Sequence, residues 1–150
     1  MNFQQVRDIL KRVRERHRQF REILATAEQY ISDARLQQIA DEMRQHEQHW
    51  EAALARYRDD AENAVLELWI QYVPDETVFR QLEEIQVTAD VTIDELIDAV
   101  VQFREALISL YSTLSTSVSA PHAQLLFALL LEMEKSTLQQ SVWRMRTPYV

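Results

Sequence analysis

The sequence predicts an all-α fold, an up-down-down-up four-helix bundle with a long crossover between helices 2 and 3. The chain of 150 residues contains no glycine and three prolines, so tight hairpins that require positive φ have few candidate positions. Hydrophobic residues make up 47% of the chain and recur at steps of three and four, the period of helices that bury one face. We treat residues 1–150 as a single domain, because this length suits one hydrophobic core.

Two stripes of apolar residues predict the first two helices. The first stripe covers residues 3–27 and has His17 in a core position. The second stripe covers residues 36–68 of a helix predicted to reach Tyr72, and His46 and Glu47 stand where an apolar residue is expected. Polar side chains at such positions need partners inside the protein, which makes these three residues candidates for a buried site.

The crossover between helices 2 and 3 is the longest connection of the predicted fold. The second helix is bent or broken near Asp59-Asp60 and ends before Pro74, because proline cannot donate into the helical ladder. Residues 75–87 are predicted to form a short extra helix within the crossover. Residues 68–73 are apolar nearly all round, which favours a place under the crossover or in a dimer interface.

The third and fourth helices have clear start signals. The segment Thr92-Ile93-Asp94-Glu95 is a Thr-x-x-Glu capping box, and Pro121 suits the first turn of the fourth helix. The third stripe covers residues 96–114, and the fourth covers residues 123–145 with Glu134 at its centre. Short 1–2 and 3–4 connections and a long 2–3 connection are typical of a four-helix bundle with one crossover.

The two halves of the chain resemble each other. The stripe of residues 6–24 recurs 90 positions later, and residues 39–43 resemble the segment 91 positions later. Recurrence at a nearly constant offset indicates an internal repeat. We therefore expect two pseudo-repeats, residues 5–57 and residues 95–142.

Residues 98–114 and 127–135 resemble the half-repeat of rubrerythrin-like proteins in the ferritin-like superfamily. The resemblance lies in a helix that closes with Leu-Tyr-x-x-Leu, a short turn, and Phe-x-x-Leu followed by Glu-x-Glu-Lys. Residues 39–46 resemble the same element in the first half. The resemblance implies a ferritin-like helical bundle formed by residues 5–57 and 95–142.

The resemblance also implies where a di-iron site would lie. In the superfamily, two irons are held by one Glu from each of two helices and by a Glu-x-x-His pair from each of the other two. The six corresponding positions here hold Arg14, Arg104, Met43, His46, Glu134 and Thr137. Only His46 and Glu134 match the pattern, and arginine offers no lone pair to a metal. The expected protein is ferritin-like and has lost most of its di-iron ligands.

The polar residues on the apolar stripes allow two interpretations. The first is a structural buried cluster of Arg14, Arg104, Glu134 and Thr137. Arg104 then pairs with Glu134, because an unpaired buried carboxylate is costly, and His17 faces His46 or Glu47. The second is a mononuclear metal site of His17, His46, Glu47 and Glu134. We expect no cofactor under the first interpretation and one Fe, Mn or Zn ion under the second.

Three functions stay open at this point. The favoured one is a non-catalytic scaffold or partner-binding bundle, and the second is a metal-dependent oxidoreductase with a reduced His/Glu site. The third is an unrelated acidic bundle that binds a basic partner through residues 59–105. The lack of glycine and cysteine excludes glycine-rich phosphate loops, Gly-x-Ser-x-Gly elbows and thiolate sites.

Charge is sorted along the chain, which carries a net charge of −8. Residues 1–21 hold seven basic side chains and two acidic ones, whereas residues 59–105 hold thirteen acidic and two basic ones. The two segments can attract each other within a monomer or across a dimer, so we expect a homodimer and leave a protein partner open.

The sequence also bears on nucleic acids and membranes. The acidic molecule repels phosphates, so nucleic-acid binding through the basic first helix is not expected. The chain has neither a signal-peptide pattern nor an apolar run long enough to span a bilayer, so we expect a cytoplasmic protein without a membrane span.

Overall fold

Four long helices form most of the structure. The computed structural model describes residues 3–59, 64–71 and 87–146 and the single positions 77 and 80, and for residues 141–146 it describes the backbone alone. The helices are α1 (Val6–Ala27), α2 (Ala34–Arg58), α3 (Ile93–Ser117) and α4 (Pro121–Arg146). Two short strands, β1 (Phe3–Gln5) and β2 (Trp69–Gln71), accompany them. The predicted all-α class is confirmed, with this small ribbon as an addition.

Three of the helices begin at the residues that helix capping favours. Asp33 is the N-cap of α2, and its side chain accepts a hydrogen bond from the backbone nitrogen of Arg35 at 2.9 Å. Thr92 is the N-cap of α3 and accepts from the backbone nitrogen of Glu95 at 3.2 Å, as predicted. Each cap of this kind stabilises a helix by about 1 kcal/mol. Pro121 is the first residue of α4, where its missing N–H costs nothing.

The second helix, α2, ends at Arg58, which agrees with the predicted break near Asp59-Asp60, but the predicted continuation of the helix is wrong for residues 69–71, which form β2. Ala64 adopts a left-handed backbone with φ 45°, and the segment Val65–Glu67 forms a single 3-10 turn. Residues 69–71 then alternate between exposed and buried, the period of a strand and not of a helix. The extra helix predicted over residues 75–87 lies almost entirely outside the described residues.

The two strands form an antiparallel ribbon at one edge of the helices. Phe3 lies opposite Gln71, and Gln5 lies opposite Trp69, so these four side chains share one face of the ribbon. Phe3 is 54% exposed and Trp69 is 64% exposed. Ile70 lies on the other face and is buried in the core. The ribbon therefore covers the core with one face and shows two large aromatic side chains to solvent with the other.

All four helices contribute to one hydrophobic core. The rings of Phe20 and Phe103 join α1 to α3, with centroids 5.1 Å apart. The indole nitrogen of Trp50 in α2 donates to the hydroxyl oxygen of Tyr111 in α3 at 3.0 Å. The most extensive helix contact is between α3 and α4, which a short connection joins. None of the helices in the described part of the chain has the length and apolar character needed to cross a membrane.

Three arginines of α1 form ion pairs with glutamates of α1 and α2. Arg14 contacts Glu51 of α2 at 2.6 Å, and Arg21 contacts Glu47 of α2 at 2.9 Å. Arg18 pairs with two glutamates of its own helix, Glu15 and Glu22. Acidic neighbours therefore offset much of the positive charge on this face.

Candidate functional site

One polar or charged side chain from each helix reaches the core. These residues are His17 of α1, His46 of α2, Arg104 of α3 and Glu134 of α4, with exposed fractions of 1%, 4%, 2% and 0%. They are the buried polar or charged residues among the described side chains, and we call them the core polar cluster. Each one interrupts an apolar stripe, so each must find its partners inside the protein.

Glu134 joins the cluster through both of its carboxylate oxygens. Oε1 lies 2.7 Å from Nε2 of His46, and Oε2 accepts a hydrogen bond from Nη1 of Arg104 at 3.4 Å. Nη2 of Arg104 donates to the sulfur of Met43 at 3.3 Å. The carboxylate therefore has a cationic partner on one side and an imidazole on the other.

His46 is held in one tautomer by its two partners. Burial lowers the pKa of His46, although the hydrogen bond with Glu134 opposes this effect, so the ring is neutral near pH 7. Facing an ionised carboxylate, Nε2 must donate, which leaves Nδ1 to accept from the hydroxyl of Thr137 at 2.9 Å. Thr137 thus donates a hydrogen bond to His46, and His46 donates one to Glu134.

His17 has one partner and one free lone pair. Its Nδ1 donates to the carbonyl oxygen of Val13 at 3.0 Å, and its Nε2 is buried without a hydrogen-bond partner among the described residues. Burial lowers the pKa of His17 well below its ordinary value, and the nearby Arg104 and His46 lower it further. The ring is therefore neutral, and the lone pair on Nε2 faces the core.

Three members of the cluster have the chemistry and spacing of metal ligands. One ligand atom each from His17, His46 and Glu134 lies within 4.8 Å of the others. Two imidazoles and one carboxylate are a ligand set that zinc and other first-row transition metals accept. The structure therefore brings together three of the four residues that the sequence predicts for a mononuclear site.

The charges of the core polar cluster balance without a metal. Arg104 carries one positive charge and Glu134 one negative charge, and both imidazoles are neutral. A divalent ion placed among these residues leaves an excess of two positive charges in the core, which is costly at low dielectric. As it stands, the cluster is suited to a neutral hydrogen-bonded network.

Aromatic rings pack against His17 inside the core polar cluster. The His17 ring lies 5.3 Å from the ring of Phe103, 5.5 Å from that of Trp50 and 6.1 Å from that of His46. Tyr111 accepts the hydrogen bond from Trp50, and burial raises the pKa of Tyr111 well above its ordinary value. Its hydroxyl group therefore keeps its proton at any ordinary pH.

The prediction that Arg14 belongs to the buried cluster is wrong. Its side chain is exposed, pairs with Glu51, and lies over the Trp50 ring at 5.5 Å. The buried face of α1 passes through Val13 and His17, and Arg14 lies just beyond its edge. Arg104, which the repeat makes equivalent to Arg14, is therefore the only one of the two in the core.

Glu47 is not brought to the metal-ligand group. It is partly buried and its carboxylate pairs with Arg21 at 2.9 Å. Burial raises the pKa of Glu47, and Arg21 opposes this rise. The neighbouring residue along α2, His46, faces the core instead, because adjacent residues on a helix point about 100° apart.

Sequence reasoning missed the role of Met43. The sequence predicts Met43 as a core residue at a position where the resemblance has a carboxylate, and it does not predict that the sulfur accepts a hydrogen bond from Arg104. A signal was present, because Met43 and His46 are three residues apart and share a helix face. The free lone pair of His17 had no such signal, since the tautomer depends on the backbone carbonyl of Val13.

Comparison with known proteins assigns no family to the chain. No protein-family model, no curated protein and no solved structure matches it. The roles of these residues are therefore inferred from the chemistry of the core polar cluster and of the surface.

The ion pair between Arg104 and Glu134 can be tested by changing one partner and then both. Glu134→Gln strands the charge of Arg104 in the core and is expected to lower the free energy of unfolding by about 3–5 kcal/mol. The double variant Arg104→Met/Glu134→Gln removes both charges and keeps an acceptor for His46. It is expected to come within about 2 kcal/mol of the wild type. Urea denaturation measures both, and equal losses in the two variants contradict the ion pair.

The buried neutral histidines predict a dependence of stability on pH. Both pKa values are lowered in the folded protein, so below about pH 6.5 the unfolded chain binds protons that the folded chain does not. The free energy of unfolding should therefore fall as the pH drops from about 7 to 5, with a slope of up to about 1.4 kcal/mol per pH unit for each histidine. His17→Leu is the control and should remove about half of this slope. An equal free energy of unfolding at both ends of this pH range contradicts the conclusion that both histidines are neutral in the folded protein.

Proposed function

We propose that this protein is a non-catalytic, ferritin-like four-helix bundle in which an arginine–glutamate ion pair replaces a di-metal centre, and that it acts as a scaffold through its surface. The observation that carries this proposal is the buried contact between Arg104 and Glu134. The guanidinium supplies, inside the core, the positive charge that metal ions supply in a ferritin-like site.

The pairing of equivalent positions supports a ferritin-like arrangement. His46 and Thr137 are equivalent in the two pseudo-repeats, and they are hydrogen-bonded to each other. Met43 and Glu134 are the next equivalent pair, and both contact Arg104. A residue meets its own equivalent, as His46 meets Thr137, when two halves are related by a two-fold axis that passes between them.

The burial of the cluster supports a non-catalytic role. Glu134 and Arg104 are at most 2% exposed, so a substrate cannot reach their polar atoms while the helices stay packed. Arg104 and Met43 occupy two positions that the resemblance assigns to metal ligands, and neither one is a carboxylate. The core polar cluster therefore serves to hold helices in register, a role known for buried polar groups.

The metal content of the purified protein tests the absence of a metal centre. Untagged wild-type protein prepared without chelators is expected to hold less than about 0.1 metal ion per chain, because a divalent ion unbalances the cluster. Elemental mass spectrometry measures this, together with thermal unfolding in the presence of Fe²⁺, Mn²⁺ or Zn²⁺. One tightly held ion per chain, lost in His46→Ala, contradicts the proposal and favours a metal-dependent enzyme.

The partner of the scaffold in this proposal is a second copy of the chain, bound through the outer face of the ribbon. Phe3 and Trp69 are large exposed aromatic residues on that one face, and exposed aromatic groups are enriched in interfaces. The strands of the ribbon carry no charged side chain, so a two-fold contact at this face rests on the aromatic side chains and brings no like charges together.

Sedimentation analysis tests the dimer. The wild type is expected to be dimeric, and Trp69→Ser is expected to raise the dimer dissociation constant at least about 10-fold through loss of a central aromatic contact. Leu125→Ser is the matched control, because Leu125 is a similarly exposed apolar residue on α4, at 61%. A monomeric wild type, or an equal effect of the two substitutions, contradicts this interface.

A further inference from the structure

We infer that His17, His46 and Glu134 form a three-ligand site for a divalent transition metal such as Zn²⁺ or Co²⁺, and that the charge of Arg104 keeps this site closed. The inference rests on the proposed function, in which Arg104 supplies the positive charge of the core. It goes beyond that function by assigning a latent binding site and the residue that blocks it.

The three ligand atoms need only small shifts to surround one ion. They come from three helices and lie within 4.8 Å of one another, whereas ligand atoms around a tetrahedral zinc ion are about 3.4 Å apart. The closest pair, Nε2 of His46 and Oε1 of Glu134, is 2.7 Å apart and must open slightly.

The lone pair of His17 is the second, independent sign of a ligand. Its Nε2 is buried with no hydrogen-bond partner among the described residues, which is uncommon for a polar atom in a native core. Its Nδ1 donates to the carbonyl oxygen of Val13, the arrangement that orients a metal-bound histidine. A metal ion would satisfy the lone pair without any change in this tautomer.

Thr137 allows His46 to change from donor to ligand. In the present state Nδ1 of His46 accepts from the Thr137 hydroxyl, and Nε2 carries the proton that points to Glu134. To bind a metal, the ring stays neutral and carries its proton on Nδ1, which then donates to the hydroxyl oxygen of Thr137. A hydroxyl can play either role, so both states of His46 keep a hydrogen bond.

Arg104 blocks the three-ligand site of His17, His46 and Glu134 by its positive charge. It bonds to Oε2 of Glu134, while Oε1 faces His46. With Arg104 present, a bound divalent ion leaves two excess positive charges in the core. Without the guanidinium charge, the same ion leaves one excess positive charge in the core. The metal-free state then contains a carboxylate whose negative charge has no cationic partner. Removal of this single charge therefore shifts the balance toward the metal.

Co²⁺ binding to Arg104→Met tests the inference, since tetrahedral Co²⁺ has strong visible absorption bands. Arg104→Met is expected to bind Co²⁺ at least about 100-fold more tightly than the wild type, because one unit charge close to a divalent ion is removed. Zn²⁺ should displace the Co²⁺ from the site. Arg104→Lys is the matched control and should stay closed, because it keeps the charge.

The ligand assignment is tested by removing one ligand at a time. His17→Leu or Glu134→Gln, introduced into the Arg104→Met background, should abolish the Co²⁺ spectrum. Binding that survives these changes overturns the assignment of the three ligands.

The three-ligand site can be tested even if Arg104→Met does not fold without metal. If the variant is unfolded without metal, Zn²⁺ must restore its helical circular dichroism, because metal binding is then coupled to folding. Met43→Glu gives a second test, since it places a carboxylate beside Arg104, whose Nη2 lies 3.3 Å from the sulfur of Met43. It should also bind Co²⁺. Absence of binding and of refolding in both variants overturns the inference.

Failure of this inference can be told from failure of the proposed function. If neither variant binds metal and the wild type is metal-free, the latent site is wrong while the non-catalytic bundle stands. If the wild type binds Co²⁺ as tightly as Arg104→Met, Arg104 does not close the site, and the proposed loss of a metal centre is wrong as well.

Discussion

The rest of this structure depends on balancing the charge of one carboxylate in an apolar core. Glu134 is fully buried, so water cannot solvate it, and only groups carried by neighbouring helices can. Arg104 provides the charge and His46 provides a further hydrogen bond. Because these partners come from α3 and α2, a shift of α4 along α3 separates two opposite charges in a medium of low dielectric, and a shift along α2 breaks the hydrogen bond with His46. One side chain thereby specifies the register of three helices.

The remaining helix, α1, is attached to the others by a different kind of contact. The polar network links α2, α3 and α4. His17 of α1, by contrast, donates its hydrogen bond to the carbonyl oxygen of Val13 in its own helix. Within the described residues, α1 is joined to the others by ring packing with Trp50 and Phe103 and by surface ion pairs with α2. Exposed ion pairs contribute at most about 1 kcal/mol each. Burial of the apolar face of α1 therefore supplies most of its attachment.

The sequence was most informative where a residue broke a pattern. The helices followed from apolar periodicity, and Glu134 and Arg104 could be paired because a carboxylate in an apolar stripe requires a cation. The repeat predicts Arg14 in the core, yet Arg14 lies one position beyond the buried face of α1, a difference that periodicity cannot resolve. The predicted break near Asp59-Asp60 coincides with the end of α2, but residues 69–71 form a strand where a helix is predicted, because residues 68–73 are apolar enough to suit either. The lone pair on Nε2 of His17 is free because Nδ1 donates to the backbone carbonyl of Val13. The types of the neighbouring residues do not predict this hydrogen bond.

The mutual dependence of Arg104 and Glu134 constrains how this protein can diverge. A substitution at either position alone strands its partner, so any route that changes one residue at a time passes through a poorly stable intermediate. Exposed pairs such as Arg18 with Glu22 are weak and screened by salt, and their members can drift independently. Descendants of this sequence should therefore keep or lose the buried pair as a unit, so that these two positions co-vary while the helix surfaces around them change freely.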